Sequence, residues 1–143
     1  MLKGISSILP PELLKILMEM GHSDEIVLAD GNFPKHAHAE HVVRCDGHGI
    51  PELLDAMLQL MPLDTYVEHP VVLMEVMPND PYTPDIWEVY REIGHKYESD
   101  GLREETLDRF AFYERARKAY ATVATGETAL YANIILKKGV VKS

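Results

Sequence analysis

Apolar residues recur at helical spacing in four stretches of the chain and crowd at strand density in five others, and the two kinds alternate for most of its length. Pro10-Pro11-Glu12 opens the first helical run, in which Leu13, Leu14, Ile16, Leu17 and Met20 share a face, and Gly21 stands where a helix C-cap favours a residue without Cβ. A second run begins at Pro51, with Leu54, Met57, Leu58 and Met61 inward, and Pro62 stops it. A third starts at Pro84 and reaches about Ile93, with Ile86, Val89, Tyr90 and Ile93 inward and Trp87 on the flank, free to meet a partner. Asp108 is the N-cap expected for the fourth, Arg109 to Ala119. The strand-like runs are Ile26-Val27-Leu28-Ala29, His41 to Gly47, Val71 to Val76, Tyr120 to Thr125 and Tyr131 to Lys137. The last two are separated so briefly that they suggest a terminal hairpin.

This alternation predicts an α/β fold: a layered single domain over residues 1–143, with helices packed on a partly parallel sheet. Ile26 to Ala29 is apolar at every position, as in a strand covered on both faces. Asp30 ends it at the turn Gly31-Asn32-Phe33-Pro34. Ligands in such folds collect beyond the carboxyl ends of strands, which makes Asp30 a site candidate, although an Asx turn explains the same residue. His22 follows a helix end and lies outside any apolar stripe. That suits a catalytic group, or simply a cation near the negative end of a helix.

Composition narrows the classes. Fourteen Lys and Arg against twenty-three Asp and Glu give a net charge of −9, and the basic residues are scattered, which argues against nucleic acid as a partner. Apolar runs fall far short of the roughly 20 residues of a membrane span, and no leader pattern is visible. The single cysteine, Cys45, fits a reducing compartment, so the cytoplasm is the expected location. His36, His38 and His41 invite a metal reading, but no second cluster completes a usual ligand set, and a polar loop is preferred with no metal.

Three separated segments then become familiar together: Gly21-His22-Ser23-Asp24-Glu25-Ile26 through Asp30-Gly31-Asn32-Phe33-Pro34, Arg109-Phe110-Ala111-Phe112-Tyr113-Glu114-Arg115-Ala116, and Thr125-Gly126-Glu127 with Tyr131-Ala132-Asn133-Ile134-Ile135-Leu136-Lys137-Lys138-Gly139-Val140. In this order they resemble the RbsD/FucU family of sugar mutarotases, on its L-fucose mutarotase branch, over essentially the whole chain. The resemblance implies an enzyme that interconverts the α and β anomers of L-fucose without cofactor or metal, in a ring-shaped homo-oligomer, typically a decamer. It implies His22 as the general acid, and Asp30, Arg109, Tyr131, Ala132 and Asn133 as sugar-binding residues. Arg109 marks the branch, since D-ribose pyranases carry histidine there. Two departures stand beside these residues: Ser23 where glycine is common, and Gly31 where alanine is common.

The residue types suit the chemistry. Mutarotation removes the anomeric hydroxyl proton, protonates the ring oxygen, and recloses on the other face, so it needs an acid and a base. An ordinary histidine titrates near pH 6.5, about where both roles are open to it. Carboxylate, amide and guanidinium groups would hold sugar hydroxyls. Tyr131 or Tyr120 offers a ring face or a second proton relay, and either tyrosine also reads as a half-buried strand residue. Three other readings share some of these residues: a D-ribose pyranase-like enzyme, a sugar-binding protein without turnover, and a phosphohistidine carrier. The last lacks a glycine-rich phosphate loop or a basic cradle. Finally, His22 and Asp30 lie eight residues apart. For both to reach one sugar, the segment between them must fold back, or a neighbouring subunit must complete the pocket.

Overall fold

The computed structural model describes all residues from Met1 to Ser143. Its centre is β1 (Glu25–Ala29), where Ile26 to Ala29 are wholly buried. A strand apolar on both faces needs hydrogen-bonded neighbours on both edges and cover above and below. Accordingly, β5 (Ala121–Thr125) pairs with it in parallel on one side and β6 (Ile134–Lys137) antiparallel on the other. With β2 (His41–Cys45), β3 (Val71–Met74) and β4 (Glu104–Leu107), the six-stranded order is β2-β5-β1-β6-β3-β4. Only β6 runs against the rest.

Side chains alternate across β1. Ile26 and Leu28 join the larger core, with Leu13, Ile16 and Leu17 of α1 (Pro11–Glu19), Leu53, Leu54 and Met57 of α2 (Ile50–Leu58), and Tyr90 and Ile93 of α3 (Ile86–Tyr97). Val27 and Ala29 point the other way, onto Phe112 and Ala116 of α4 (Arg109–Arg117). Helices therefore cover both faces, and no helix is long and apolar enough to cross a membrane.

Several local expectations change. The terminal hairpin is absent because β1, needing two neighbours, lies between β5 and β6. The connection from Gly126 to Asn133 instead crosses the carboxyl end of β1. Gly126 makes that crossing possible, since a Cβ there would stand 2.1 Å from the Asp46 carbonyl. The last strand begins at Ile134, leaving Tyr131 to Asn133 as a loop, and β3 ends at Met74. Strand β4 has no apolar pattern to announce it; it is an edge strand made by pairing with β3. Val89 is exposed, and Gly94 replaces it on the buried face of α3. Gly21 is not the left-handed cap of α1. The helix stops at an extended Met20, and the left-handed residue is Ser23, at φ +74°. Glycine at position 23 would carry that backbone without strain.

Candidate functional site

The five parallel strands end on one edge of the sheet, and there a cleft of about 260 Å³ opens. Asp30 enters it from the end of β1, Met74 from β3, Arg109 and Tyr113 from the first turns of α4, and Tyr131 and Asn133 from the crossing loop. The volume sits at the small end of ligand pockets, which suits a molecule no larger than a monosaccharide.

Each group is fixed by local structure. The Asp30 amide donates to Asn133 Oδ1 at 2.7 Å, and its carboxylate accepts from the Asn32 amide at 2.9 Å. Burial pushes the Asp30 carboxyl above its ordinary value, against the lowering effect of the Asn32 amide and the Asn133 side chain. Arg109 is the first residue of α4, started by Asp108, whose carboxylate accepts from the Ala111 amide. Its guanidinium lies 4.8 Å from the centroid of the Phe110 ring. Tyr131 stands at φ +57°, a conformation costing a non-glycine residue about 1 kcal/mol or more. Its phenol donates to Asp80 at 2.7 Å, beneath a stacked Tyr82 ring. Ala132 is buried and presents only backbone.

Tyr113 is a cleft residue that the sequence pattern does not reveal as one. Its ring meets Phe33 edge-on at 5.5 Å, and burial pushes its phenol up while Arg109 pulls it down. The available signal was spacing: Tyr113 lies four positions after Arg109, on the same helix face.

His22 is elsewhere. It precedes β1, whereas Asp30 follows it, and five strand residues at roughly 3.3 Å each separate the two by about 16 Å or more. Register makes the division plain: Glu25 pairs with Lys137, and Leu28 with Ile134, so His22 lies toward Lys138 and Asp30 toward Asn133. At this amino edge His22 Nε2 lies 3.0 Å from the buried Asp64 carboxylate, with the Tyr66 ring 5.1 Å from the imidazole. Burial pushes the Asp64 carboxyl up, but the Tyr66 amide and the His22 ring outweigh it and hold the group below its ordinary value. An ionised Asp64 accepts from Nε2–H, which leaves Nδ1 of the half-exposed ring directed away from that carboxylate. Lys138 clamps the turn: its ammonium donates to the Leu17 and Met20 carbonyls, its carbonyl accepts from the Ser23 amide, and its amide donates to the Asp24 carbonyl. No periodicity marks Asp64. It follows the stop of α2 in a loop, and only the fold brings it to His22.

Tyr120 joins neither group. Its hydroxyl donates to Glu19 and its ring lies 5.0 Å from His41, on the β5 flank of β1, while His22 turns to the β6 flank. The other two histidines diverge as well: His36 meets Tyr113 edge-on and His38 stacks on Phe33. No group of three His, Cys, Asp or Glu side chains is arranged to hold a metal ion. Trp87 is no free flank residue, since its indole N–H donates to the Tyr131 carbonyl at 2.8 Å.

Residues 3–141 match the model of the RbsD / FucU transport protein family. The chain is similar to the fucose mutarotase of Bos taurus, with 52% identity over 150 residues, spanning 97% of this chain and 94% of that one. It is similar to the L-fucose mutarotase of Actinobacillus pleuropneumoniae, with 48% identity over 140 residues, spanning 98% and 97%. Its fold matches a fucose mutarotase from Streptococcus pneumoniae solved in complex with L-fucose, at a TM-score of 0.93 and 54% identity, covering 99% of this chain and 100% of that one.

Proposed function

The chain belongs to the RbsD / FucU family, and from that premise we propose that it is a fucose mutarotase, a carbohydrate isomerase that interconverts the α and β anomers of L-fucose. The observation that carries this reading is the convergence of Asp30, Arg109, Tyr131 and Asn133 on one small cleft, in a fold shared with a fucose-bound relative. These side chains supply a carboxylate acceptor, a forked cation, a phenol and an amide, which is the set a polyhydroxylated ring requires.

The reaction moves two protons and breaks one bond. The anomeric hydroxyl loses its proton, the C1–O5 bond breaks as a C=O forms, and the ring oxygen takes up a proton. Rotation about C1–C2 and the reverse steps give the other anomer, with no net gain or loss. His22 serves as the acid for the ring oxygen, and the Asp64 carboxylate orients its ring and stabilises its charged form. Tyr113 is the second relay in this account, taking the place first given to Tyr120. Its half-buried phenol stays protonated, so it passes its own proton to solvent as it accepts the anomeric one, and solvent returns a proton to His22.

The distance between His22 and the cleft makes this a reaction of two chains. The proposed enzyme is a ring of copies, a decamer in the cytoplasm, in which His22 and Asp64 of one copy close the cleft of the next. Leu130 and Phe110 support that arrangement, since Leu130 stands 53% exposed in the lining of the cleft and Phe110 71% exposed beside Arg109, where a monomer gains nothing from them. Saturation-transfer NMR on equilibrated sugars tests the function. L-fucose is expected to show enzyme-dependent anomer exchange that His22→Ala abolishes. Faster exchange of D-ribose than of fucose would move the enzyme to the pyranase branch, and fucose binding without exchange would make it a sugar-binding protein.

A further inference from the structure

The segment Tyr131-Ala132-Asn133 is held in a backbone conformation that Tyr131 does not favour by itself, and the bonds within the cleft, Tyr131 to Asp80 and Met77 and Asn133 to Asp30, engage its side chains and not its backbone. What holds the backbone lies behind it, on α3. Trp87 and Tyr90, three positions apart, share one face of that helix. The Trp87 indole donates to the Tyr131 carbonyl at 2.8 Å, and the Tyr90 hydroxyl donates to the Ala132 carbonyl at 2.6 Å. Two side chains of one helix thus capture two consecutive carbonyls of the loop. Tyr90 is wholly buried and Trp87 partly so, so neither forms a wall of the cleft.

We infer that Trp87 and Tyr90 are positioning residues for sugar binding: by holding the carbonyls of Tyr131 and Ala132, they fix the left-handed turn that aims the Tyr131 phenol and the Asn133 amide into the cleft. The turn has a consequence at each end. The Tyr131 hydroxyl reaches Asp80 and accepts from the Met77 amide, while Asn133 Oδ1 meets the Asp30 amide. Without the grip from α3, Tyr131 relaxes to negative φ, its phenol leaves the cleft, and the Asp30 to Asn133 bond loosens. His22 lies at the other edge of the sheet and is untouched. The loss therefore falls on binding rather than on proton transfer.

This inference rests on the cleft being the fucose site, and its test separates the two. Trp87→Phe removes the indole N–H and keeps an aromatic ring; Tyr90→Phe removes only the hydroxyl. Each is followed by amide hydrogen exchange and by fucose exchange kinetics at several sugar concentrations. The expected result for Trp87→Phe is faster amide exchange at Asp30 and across residues 130–133, with the β1 and β5 amides as protected as in the parent. Its KM for fucose should rise roughly fivefold, the effect of one lost hydrogen bond, with kcat little changed. Tyr90→Phe gives the same pattern and carries the test if Trp87→Phe does not fold. Unchanged exchange at Asp30 and residues 130–133 overturns the inference whatever the activity. So does loosening that extends through β1 and β5, or local loosening with an unchanged KM. A parent protein that turns over no fucose overturns the functional reading instead, while the exchange pattern still decides whether α3 holds the turn.

Discussion

The two edges of the sheet are built by different rules. At the carboxyl edge, Asp30, Arg109, Tyr131 and Asn133 arrive from three segments at the ends of regular elements, into a cleft that the parallel strands create by ending together. At the amino edge a polar cavity of about 370 Å³ opens on the β5 flank, among Asp24, Glu25, Glu40, His41 and Lys118, but His22 does not line it. A single half-exposed histidine is oriented by one buried carboxylate, and the turn that carries it is pinned by Lys138. The carboxyl edge gathers hydrogen-bonding groups around its cleft but no oriented histidine, whereas at the amino edge the oriented histidine stands outside the cavity beside it. On the proposed function, the difference means that recognition and acid catalysis are housed apart in one chain, and that joining them takes a second copy.

Removing the acid should produce the largest effect. His22→Ala is expected to lose about 10²- to 10⁴-fold in exchange rate, the usual worth of positioned proton transfer, with sugar binding and melting temperature close to the parent. A variant that unfolds, or that loses binding along with rate, would erase the division between the edges. Next comes the carboxylate behind the histidine. Asp64→Asn should slow exchange roughly ten- to a hundredfold, the range expected for a lost charge-assisted hydrogen bond. Because the folded Asp64 carboxyl sits below its ordinary value, its contribution to stability is complete above the ordinary carboxylate range and fades as pH falls through the folded value. The parent should therefore lose stability faster on acidification than Asp64→Asn does, as melts from pH 7 to pH 3 would register.

The recognition edge has the opposite electrostatic sign. Burial raises the Asp30 carboxyl, so its ionisation opposes folding as pH rises through the ordinary aspartate range toward the raised value. Asp30→Asn is expected to weaken fucose binding several-fold while holding or raising the melting temperature at pH 7. It should also remove an acid limb of kcat/KM that lies above the ordinary aspartate range in the parent. A lower melting temperature, or an acid limb retained in the variant, would show that Asp30 is structural. The smallest effect is none at all: EDTA should leave exchange unchanged, because His36, His38 and His41 turn to three different aromatic partners. Loss of activity restored by zinc would contradict this.

The recognition edge was also the more legible in sequence. Asp30 stands at the end of an apolar run, where the rule about strand ends already marks it, while Arg109 and Asn133 were marked by the family resemblance, and Asn133 was read as part of a strand that begins only at Ile134. Tyr113 could have been added from its spacing to Arg109. The acid edge was half visible: His22 could be read as a residue after a helix, but Asp64 is forty-two positions away and is brought to it by the pairing of a loop with the end of β6. Burial does not separate Tyr120 from Tyr113, since both are half-buried aromatics; apart from the spacing of Tyr113 to Arg109, it is the fold that sends one to a surface carboxylate and the other to the cleft. Strand order escaped for a related reason. The brevity of the connection after Thr125 suggested a hairpin, whereas the need of β1 for two neighbours inserted it between β5 and β6.

The central claim is that one site is assembled from both edges, each from a different copy, and subunit mixing tests it directly. His22→Ala and Tyr131→Ala proteins, each inactive alone, are combined in equal amounts under conditions that exchange subunits, and fucose anomer exchange is followed by NMR. If neighbouring copies contribute the two halves, random assembly leaves about one site in four with both halves intact, so about a quarter of the parental rate should return. No recovery in a mixture whose subunits have demonstrably exchanged, or full activity in isolated folded monomers, would contradict it.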